Sequence, residues 1–482
     1  MSGSVTVTDP DNSRGGTWLV DLADGYYQTG TAVTLHGSPV VDENGSPSEL
    51  LESMTTKANS ATLGVQLNGS RLVVQRAADA YSKLALDASA RAVGLALDAA
   101  ASADAVRTPA LRFMLRAAPG NSAATSSLST EAQELFGAID GMTSAAGVSA
   151  ALKKLSPEAY GYADAASIRM HREVSRDLHR HLRESRETGQ GPISALQTRD
   201  WTGFVTPYGE RFIGNAQGAG SATRSTSGGI LGGLEKTDAS GLTLGFHGGI
   251  GGRHQTVSTW HDARIDSAGA FAGVHAQFEP EGWNNFYLMG SARVSIEENR
   301  SKRTVAFGSY EKKAKGKYTS WTGEAMVGLG KDWKAGGVTF GPFASFEYIR
   351  TEHQSFKEKN GGGASLSVSK DSNDALGAML GAHVNVAHRA SDGLIVRAGL
   401  SGAYRRELLS TDYTARASFR DLSGSDSFTG HSRAMGRNSV LADASVGIAN
   451  SADTLRAELT AGYEGANTGN AVRFGIRGQY RF

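Results

Sequence analysis

The sequence predicts an all-β transmembrane barrel of twelve antiparallel strands, with one α-helix threaded through its pore. Three observations support this fold class: strict alternation of apolar and polar residues after residue 198, short turns that alternate with longer connections, and a long polar helix just before the first strand. Before the helix, we expect an Ala-rich helical or linker region and, at the start of the chain, a short stub of β segments.

Composition limits the classes of protein to which the chain can belong. The 482 residues carry a net charge of +1 and include 61 Gly, 10 Pro and no Cys. The small net charge provides no bulk attraction to nucleic acid, and the lack of Cys excludes disulfides, thiolate metal sites and a Cys nucleophile. No apolar run is long enough for a transmembrane helix, and the first residues lack the apolar segment of a signal peptide. For an exported protein, such a start indicates a fragment or a misassigned first residue.

The first part of the chain divides into two regions. Residues 1–75 contain short β segments separated by Gly, Asn, Asp and Pro, such as 17–22 and 71–75. They are too few for a self-sufficient sandwich and predict the last turns of a longer β structure. Residues 76–156 are rich in Ala at helical spacing, which predicts a junction or linker region that is partly helical.

A long polar helix is predicted over residues 157–190. Ser156 followed by Pro157 is a helix-start signal, and charged residues dominate the second half of the segment. A helix this polar is either exposed to solvent or enclosed in a polar tunnel. Its candidate pore-helix charges are Arg169, Arg172, Glu173, Arg176, Asp177 and Arg180.

Residues 198–482 have the pattern of strands throughout, because side chains alternate between two faces with a period of two. In the last strand Phe474, Ile476, Tyr480 and Phe482 share one face, while the other face carries three arginines. Twelve strands are predicted, at about 199–213, 224–237, 241–252, 264–279, 283–297, 317–334, 337–351, 372–388, 393–407, 437–450, 453–465 and 470–482.

The connections between these strands alternate in length. Short turns are predicted at 237–240, 279–282, 334–337, 388–392 and 450–453. Longer links are predicted at 253–263, 298–316, 352–371 and 408–436. Short turns at one end, long links at the other and an even number of strands are typical of outer-membrane barrels.

A soluble β-sandwich also alternates and is the competing prediction. Aromatic residues favour the membrane barrel, because they cluster at strand ends, as at Trp201, Trp283 and Trp321, in the manner of interfacial girdles. The polar face carries charges of both signs, for which we predict a lumen; they are Arg293, Glu324, Arg397, Asp443, Arg456, Glu458, Arg473 and Arg477. A twelve-stranded lumen is about wide enough for one helix, so helix 157–190 is predicted to fill it.

Together these features resemble the classical autotransporters, the type V secretion proteins of Gram-negative bacteria. The resemblance rests on four phrases in order: LVVQRAADAYSKLALDASARAVGLALD (72–98), ALKKLSPEAYGYADAASIRMHREVSRDLHRHL (151–182), WTGFVTPYGERF (201–212) and the terminal aromatic Phe482. It implies that residues 198–482 are a translocator barrel in the outer membrane. It also implies that an N-terminal passenger is displayed at the cell surface, with residues 1–75 as the C-terminal remnant of a β-helical passenger.

The resemblance implies partners as well. Phe474, Ile476, Tyr480 and Phe482 would form the signal that the barrel assembly machinery reads, with periplasmic chaperones assisting passage. Outer-membrane lipid and lipopolysaccharide would surround the barrel, which is expected to be monomeric and to bind no nucleic acid. Some members of the family cut the helix at an Asn–Asn bond, but residues 157–187 contain no Asn, so this self-cleavage is not expected here.

The sequence supports no enzyme activity, no cofactor and no metal site. His179 and His181 on the predicted helix are two residues apart and point to different faces, and no HExxH motif is present. The basic segment 302–317 is a candidate contact for lipopolysaccharide, although a solvated loop is the favoured interpretation. Two other functions stay open: an outer-membrane diffusion channel, and a surface adhesin that acts through its long extracellular loops.

Overall fold

The computed structural model describes residues 5–6, 17–34, 55–68, 71–115, 126–185, 201–216, 218, 220–433 and 436–482. Twelve antiparallel strands close into a barrel, and a long helix packs against the inward-facing side chains of most of them. The predicted twelve-stranded barrel is therefore confirmed. The last residues of the predicted helix, 186–190, lie outside the described residues.

The N-terminal region forms two small sheets. Its strands are β1 (Val5–Thr6), β2 (Thr17–Val20), β3 (Ala32–Thr34), β4 (Thr55–Ala58), β5 (Leu63–Asn68) and β6 (Arg71–Arg76). Strands β2 and β4 pair in parallel, as in a β-helix, whereas β1–β2, β3–β6 and β5–β6 pair antiparallel. The assignment of this segment to the end of a β-helical passenger therefore stays a prediction.

Four helices follow, preceded by a short 3-10 turn at Ser82–Leu84. They are α1 (Ala88–Leu115), α2 (Thr130–Asp140), α3 (Ala145–Leu155) and α4 (Glu158–Ser185). Ser129 and Ser144 cap α2 and α3, each accepting a hydrogen bond of 3.2 Å from the backbone N–H three residues later. The region predicted as a junction is thus a packed helical unit in the part that the structure describes.

Seventeen strands follow among the described residues from 201 onward. They are β7 (Trp201–Gly214), β8 (Ala222–Thr237), β9 (Leu242–Ser258), β10 (Asp262–Phe278), β11 (Phe286–Phe307), β12 (Tyr310–Lys331), β13 (Trp333–Ala335), β14 (Val338–His353), β15 (Phe356–Lys357), β16 (Leu366–Val368), β17 (Asp371–Ser391), β18 (Leu394–Glu407), β19 (Asp412–Phe419), β20 (Phe428–Arg433), β21 (Asn438–Asn450), β22 (Leu455–Ala466) and β23 (Gly469–Arg481). Twelve of them build the barrel, whereas β13 only extends β14, and β15, β16, β19 and β20 form a separate four-stranded sheet, here called the crown sheet.

The barrel closes where its first and last strands meet. Strand β23 pairs antiparallel with β7, and β12 pairs with β14 to complete the ring. The ladder between β7 and β23 is interrupted at Ile476 and Arg477, which lie opposite Pro207 and Thr206. Proline has no N–H to donate, so the closing seam lacks hydrogen bonds at its middle.

Two of the predicted long links are wrong, because the strands continue through them. Strands β11 and β12 run to Phe307 and from Tyr310, so 298–316 is a hairpin with a two-residue turn at 308–309 rather than a loop. Strands β9 and β10 likewise replace most of 253–263. The longer links at 352–371 and 408–436 carry the crown sheet.

The outer face of the barrel wall is apolar and the inner face is polar, as the sequence predicts. Large apolar residues are exposed on the outer face, for example Phe246 at 67% and Phe474 at 66%, while polar and charged residues of alternate positions are buried inside. No helix among the described residues is both long and apolar enough to cross a membrane. The wall is therefore the surface that fits a lipid bilayer.

The helical unit lies on one end of the barrel, here called the helix-entry end. Its core residues Leu97, Phe136 and Leu152 form one apolar cluster with Ile265, Val305 and Phe307 of β10 and β11. The Lys154 ammonium donates to the Ala306 carbonyl at 2.7 Å. From this end α4 enters the lumen, and the opposite end, which holds the short turns and Phe482, is here called the short-turn end.

Candidate functional site

Helix α4 is a polar helix that is almost entirely buried. From Glu158 to Glu184 only Arg176 and Asp177 are half-buried, and every other residue is buried. At 1.5 Å per residue its 28 residues span about 42 Å, enough to run the length of a membrane barrel. Burial of so many charged side chains is tolerated only when each finds a partner, so the contacts of α4 define the site.

The middle of the helix is held by arginines that bind wall carboxylates. Arg169 lies 3.1 Å from Glu210 on β7 and 3.5 Å from Glu464 on β22. Arg172 lies 2.7 Å from Glu407 on β18 and 3.2 Å from Glu347 on β14. These two arginines therefore reach four different strands, on widely separated parts of the wall.

Around His171 and Ser175 of the helix, the positively charged partner is an arginine of the barrel wall. The Arg293 guanidinium on β11 donates to the carbonyl of His171 at 2.7 Å and pairs with Glu324 on β12. Glu324 also accepts a hydrogen bond from the Ser175 hydroxyl of the helix. The predicted lumen residues Arg293 and Glu324 thus bind each other and α4 at the same point.

The short-turn half of α4 meets a second group of predicted lumen residues. Arg176 and Arg180 lie 3.8 Å and 3.5 Å from Asp443, which also pairs with Arg473 at 3.1 Å. Asp177 pairs with Arg180 at 3.4 Å. Helix and wall charges are therefore interleaved at this level.

The last turn of α4 is fixed by two arginines from the wall. Arg477 on β23 pairs with both Glu184 and Glu458, and Arg456 on β22 donates to the Glu184 carbonyl at 3.2 Å.

Two further charged residues lie inside the barrel. Arg397 lies farther from the helix, half-buried and 3.8 Å from Asp453. Glu173 accepts a hydrogen bond of 3.2 Å from the Ser227 hydroxyl on β8. The structure thus places all eight residues predicted for the lumen on the inward-facing side of the barrel wall.

Sequence reasoning missed an apolar stripe on the helix. Val174, Leu178 and Leu182 are spaced by four residues and contact a cluster of wall side chains. That cluster consists of Phe204, Tyr208, Leu231, Phe271, Tyr287 and Met289. The spacing of the three residues was the available signal, but the charges between them hide it.

Sequence reasoning also missed most of the wall carboxylates. Glu235, for example, lies between His181 at 3.1 Å and His275 at 3.2 Å. The available signal is the position of each carboxylate within its strand. Side chains alternate between the two faces, and each of these carboxylates lies at a position that faces the lumen. The unpredicted wall carboxylates around α4 are Glu210, Glu235, Glu297, Glu347, Glu407 and Glu464.

At the helix-entry end, α4 is tied to the crown sheet and to the helical unit. Tyr160 donates to Glu358 at 2.6 Å, and Glu358 also binds Arg303 at 2.7 Å. Gly161 approaches the crown so closely that a Cβ there would lie 2.6 Å from the Ser432 hydroxyl. The entrance to the lumen is therefore packed around the helix as well.

Little space is left beside the helix. A cavity of about 30 Å³ lies between Arg172, Arg176 and the wall, and one of about 10 Å³ lies beside Arg180 and Glu184. A buried water needs roughly 10–15 Å³ measured in this way, so these cavities hold one to a few water molecules each. Isolated waters do not form a conducting column, so neither of these two cavities is a channel along α4.

Two buried aspartates hold the N-terminal region to the helical unit. Asp140 of α2 accepts hydrogen bonds from Thr62 at 2.6 Å and Tyr81 at 2.9 Å, and pairs with Arg76 of β6. Asp104 of α1 accepts from Tyr26 at 2.9 Å and from the Ser127 N–H at 2.8 Å. The N-terminal strands are thus joined to the helices by polar contacts.

The contacts of Asp104 predict how this junction responds to acid. Burial alone would raise the pKa of Asp104, but hydrogen bonds, led by those of Ser127, outweigh it and hold the pKa below its ordinary value of 3.8. A lowered carboxylate pKa stabilises the folded state above about pH 4, and this contribution is lost as the pH falls through the lower folded-state pKa. We expect pulse proteolysis in guanidinium to show this region losing stability from pH 5 to pH 2.5.

The matched control for that pH series is Asp104→Asn, which cannot titrate. The stability of the variant should fall less steeply over the same pH range, because one of the contributing carboxylates is gone. Equal slopes for the two proteins would show that Asp104 does not carry the effect.

The predicted terminal signal residues lie on the other face of the wall. Phe474, Ile476, Tyr480 and Phe482 are each more than half exposed on the outer surface, next to the closing seam. They make no part of the lumen network. Among the described residues, no group of His, Cys, Asp and Glu side chains is arranged to hold a metal ion.

Comparison with known proteins places this geometry in context. The model of a family described as Autotransporter beta-domain matches residues 203–464, more than half of the chain. No curated protein matches the sequence. Among solved structures, the translocator domain of the autotransporter NalP from Neisseria meningitidis is 14% identical, covers 66% of this chain and 98% of its own, and has a TM-score of 0.47. The beta domain of the Bordetella autotransporter BrkA is 17% identical, covers 59% of this chain and 100% of its own, and has a TM-score of 0.44.

Proposed function

The chain belongs to the autotransporter β-domain family and is an outer-membrane β-barrel translocator for a passenger at the cell surface, and from this premise we propose how it holds that passenger. Helix α4 is the tether: it links the N-terminal region at one end to the first barrel strand at the other. It is also the plug, because it fills the lumen once transport is complete.

The observation that carries this proposal is the set of ion pairs that surround α4. Arg169 and Arg172 alone bind carboxylates on β7, β14, β18 and β22. A helix bound to four strands around the ring cannot leave the lumen without breaking several buried pairs at once. Because the desolvation of these charges offsets part of their attraction, the pairs chiefly fix the position of α4 in the lumen, and this fixed position is the plugged state.

The alternative of a diffusion channel fits this geometry poorly. Diffusion of solutes needs a continuous water-filled path, whereas the cavities beside α4 have volumes of about 30 and 10 Å³. We therefore propose transport and anchoring, not diffusion or catalysis, as the activity of the chain.

We further propose the partners that this role requires. The exposed aromatic residues of β23, which end at Phe482, lie at the barrel's closing seam and are the feature that the barrel assembly machinery and periplasmic chaperones would recognise. The barrel closes on itself within one chain, which supports a monomeric translocator surrounded by outer-membrane lipid and lipopolysaccharide.

Deleting residues 157–190 tests the plug directly. In planar bilayers the full chain should remain almost closed, whereas the deletion variant should conduct steadily, because α4 is the segment that fills the lumen among the residues that the structure describes. A matched control deletes 424–427, an exposed segment that lies outside the lumen. Steady conductance of the full chain at the level of the deletion variant would instead identify a diffusion channel.

A further inference from the structure

Three neighbouring strands change from apolar to charged on their outer face at the same level. On β11 the exposed outward residues Val294 and Ile296 are followed by Glu298, Arg300 and Lys302. On β12, Val327, Ala325 and the exposed Trp321 are followed by Lys317, Lys315 and Lys313. On β10, a run of exposed alanines gives way to Asp266 and Arg264. Since Trp and Tyr mark the membrane interface, this level lies just outside the hydrocarbon region at the helix-entry end.

The strand register places cations directly opposite cations. Arg264 of β10 pairs with Lys302 of β11, and Lys302 pairs with Lys315 of β12. The backbone of Lys315 also forms an isolated antiparallel β-bridge with that of Lys359, which places a further lysine beside this row. Like charges directly opposite each other in a sheet are destabilising, so a bound anion would stabilise this row.

Carboxylates of the protein neutralise only part of this charge. Lys317 pairs with Glu298 at 2.9 Å, and Arg264 pairs with Asp266 at 3.0 Å. In the part of the chain that the structure describes, Arg300, Lys302 and Lys315 have no carboxylate within 4.0 Å. Three adjacent cations therefore face outward at the membrane surface without an ion-pair partner.

The other side of the barrel differs at the corresponding level. There Arg350, two residues beyond the exposed Tyr348 on β14, pairs with Asp374 at 3.3 Å. Lys370 pairs with Glu352 at 2.7 Å. At these positions, on β14 and next to β17, the cations have carboxylate partners in the protein, unlike Arg300, Lys302 and Lys315 of β11 and β12.

We propose that these cations bind the phosphate groups of a phosphorylated glycolipid of the outer leaflet, namely the lipid A part of lipopolysaccharide. The site, here called the basic patch, comprises Arg264, Arg300, Lys302, Lys313, Lys315 and Lys317. Arg300 and the lysines supply the positive charge for the phosphates, and the apolar face below them, from Ile296 and Trp321 downward, contacts the acyl chains. The proposal depends on the placement of the barrel in the outer membrane and is independent of the role of α4 as a plug.

The test is a binding titration of the full chain in dodecylmaltoside micelles with bisphosphorylated lipid A. Each cation at a membrane surface contributes about 1 kcal/mol, so a variant that combines Arg300→Gln, Lys302→Gln and Lys315→Gln should bind lipid A about 100-fold more weakly. The matched control combines Arg406→Gln, Arg416→Gln and Arg433→Gln, three exposed cations outside the patch. The control should bind like the unchanged chain.

The same titration distinguishes the sources of phosphate. Dephosphorylated lipid A should bind the unchanged chain as weakly as bisphosphorylated lipid A binds the patch variant, and added salt should weaken only the phosphorylated form. Displacement of lipid A by an equal concentration of inorganic phosphate would replace the proposal with a free-phosphate site. Equal lipid A affinities for the patch variant and the control would overturn it, provided that both keep the gel mobility of the folded barrel without boiling.

Discussion

Replacing Arg172 with glutamate should open the pore. The change removes the contacts with Glu407 at 2.7 Å and Glu347 at 3.2 Å and puts a third carboxylate among them. Loss of one partner of a buried pair costs about 3–5 kcal/mol. At about 1.4 kcal/mol per factor of ten, the ratio of unplugged to plugged states should rise roughly 100- to 4000-fold. Open probability in single-channel recordings measures this ratio.

A second substitution makes this expectation specific. In the double variant Arg172→Glu with Glu347→Arg, the cluster regains its original net charge, with Arg405 still 3.3 Å from Glu407. The open probability should fall back most of the way toward that of the unchanged chain. Arg406→Glu reverses an exposed charge on the same strand as Glu407 and should leave the pore closed. No rise in open probability for Arg172→Glu would mean that this ion-pair group does not hold the helix.

Charged contacts suit a helix that must enter a pore before it is fixed there. An ion pair has a defined partner and geometry, so Arg172 has only one favourable position among the wall carboxylates. Desolvation offsets much of the Coulombic gain of such pairs, so they contribute orientation more than net stability. The apolar contacts of Val174, Leu178 and Leu182 add non-directional stabilisation on the other face of α4.

The barrel strands were predictable because each face of the wall meets a different medium. In β23, Phe474 and Ile476 face outward while Arg473 and Arg477 face inward, so lipid on one side and charge on the other give the period of two. The ends of β11 and β12 at the helix-entry end were not predictable, because the outward-facing side chains beyond Ile296 are charged. Polar residues on both faces look like a loop in sequence, although Arg303 and Val305 are buried.

The site was half predictable for a related reason. The arginines of α4 occupy one continuous helix, so their concentration is visible in the sequence. Their partners come from distant strands, as when Arg172 binds Glu407, 235 residues later. That pairing depends on the register of the whole ring, which no local pattern encodes. Inward parity marks Glu407 as a lumen residue but cannot select which arginine it meets.

Removing the carboxylate of Glu358 should destabilise the packing of the crown sheet against the barrel. Glu358 is fully buried and accepts hydrogen bonds from Arg303 at 3.1 and 2.7 Å, from Tyr160 at 2.6 Å and from the Leu366 N–H at 2.9 Å. In Glu358→Leu the Arg303 guanidinium, only 1% exposed, keeps its charge without an anion. We expect a loss of about 3–5 kcal/mol in the free energy of unfolding of this region.

Pulse proteolysis in guanidinium, with cleavage followed between residues 354 and 370, measures that loss because the barrel strands themselves stay protected. The double variant Glu358→Leu with Arg303→Met should regain most of the stability, since an apolar pair of similar volume replaces the ion pair. Glu298→Gln, which breaks the exposed pair with Lys317, should leave the stability of this region nearly unchanged, because exposed ion pairs contribute little. If the single and double variants at Glu358 lose equal stability, the cost arises from the missing hydrogen bonds of Tyr160 and Leu366. An unpaired arginine would then not be its cause.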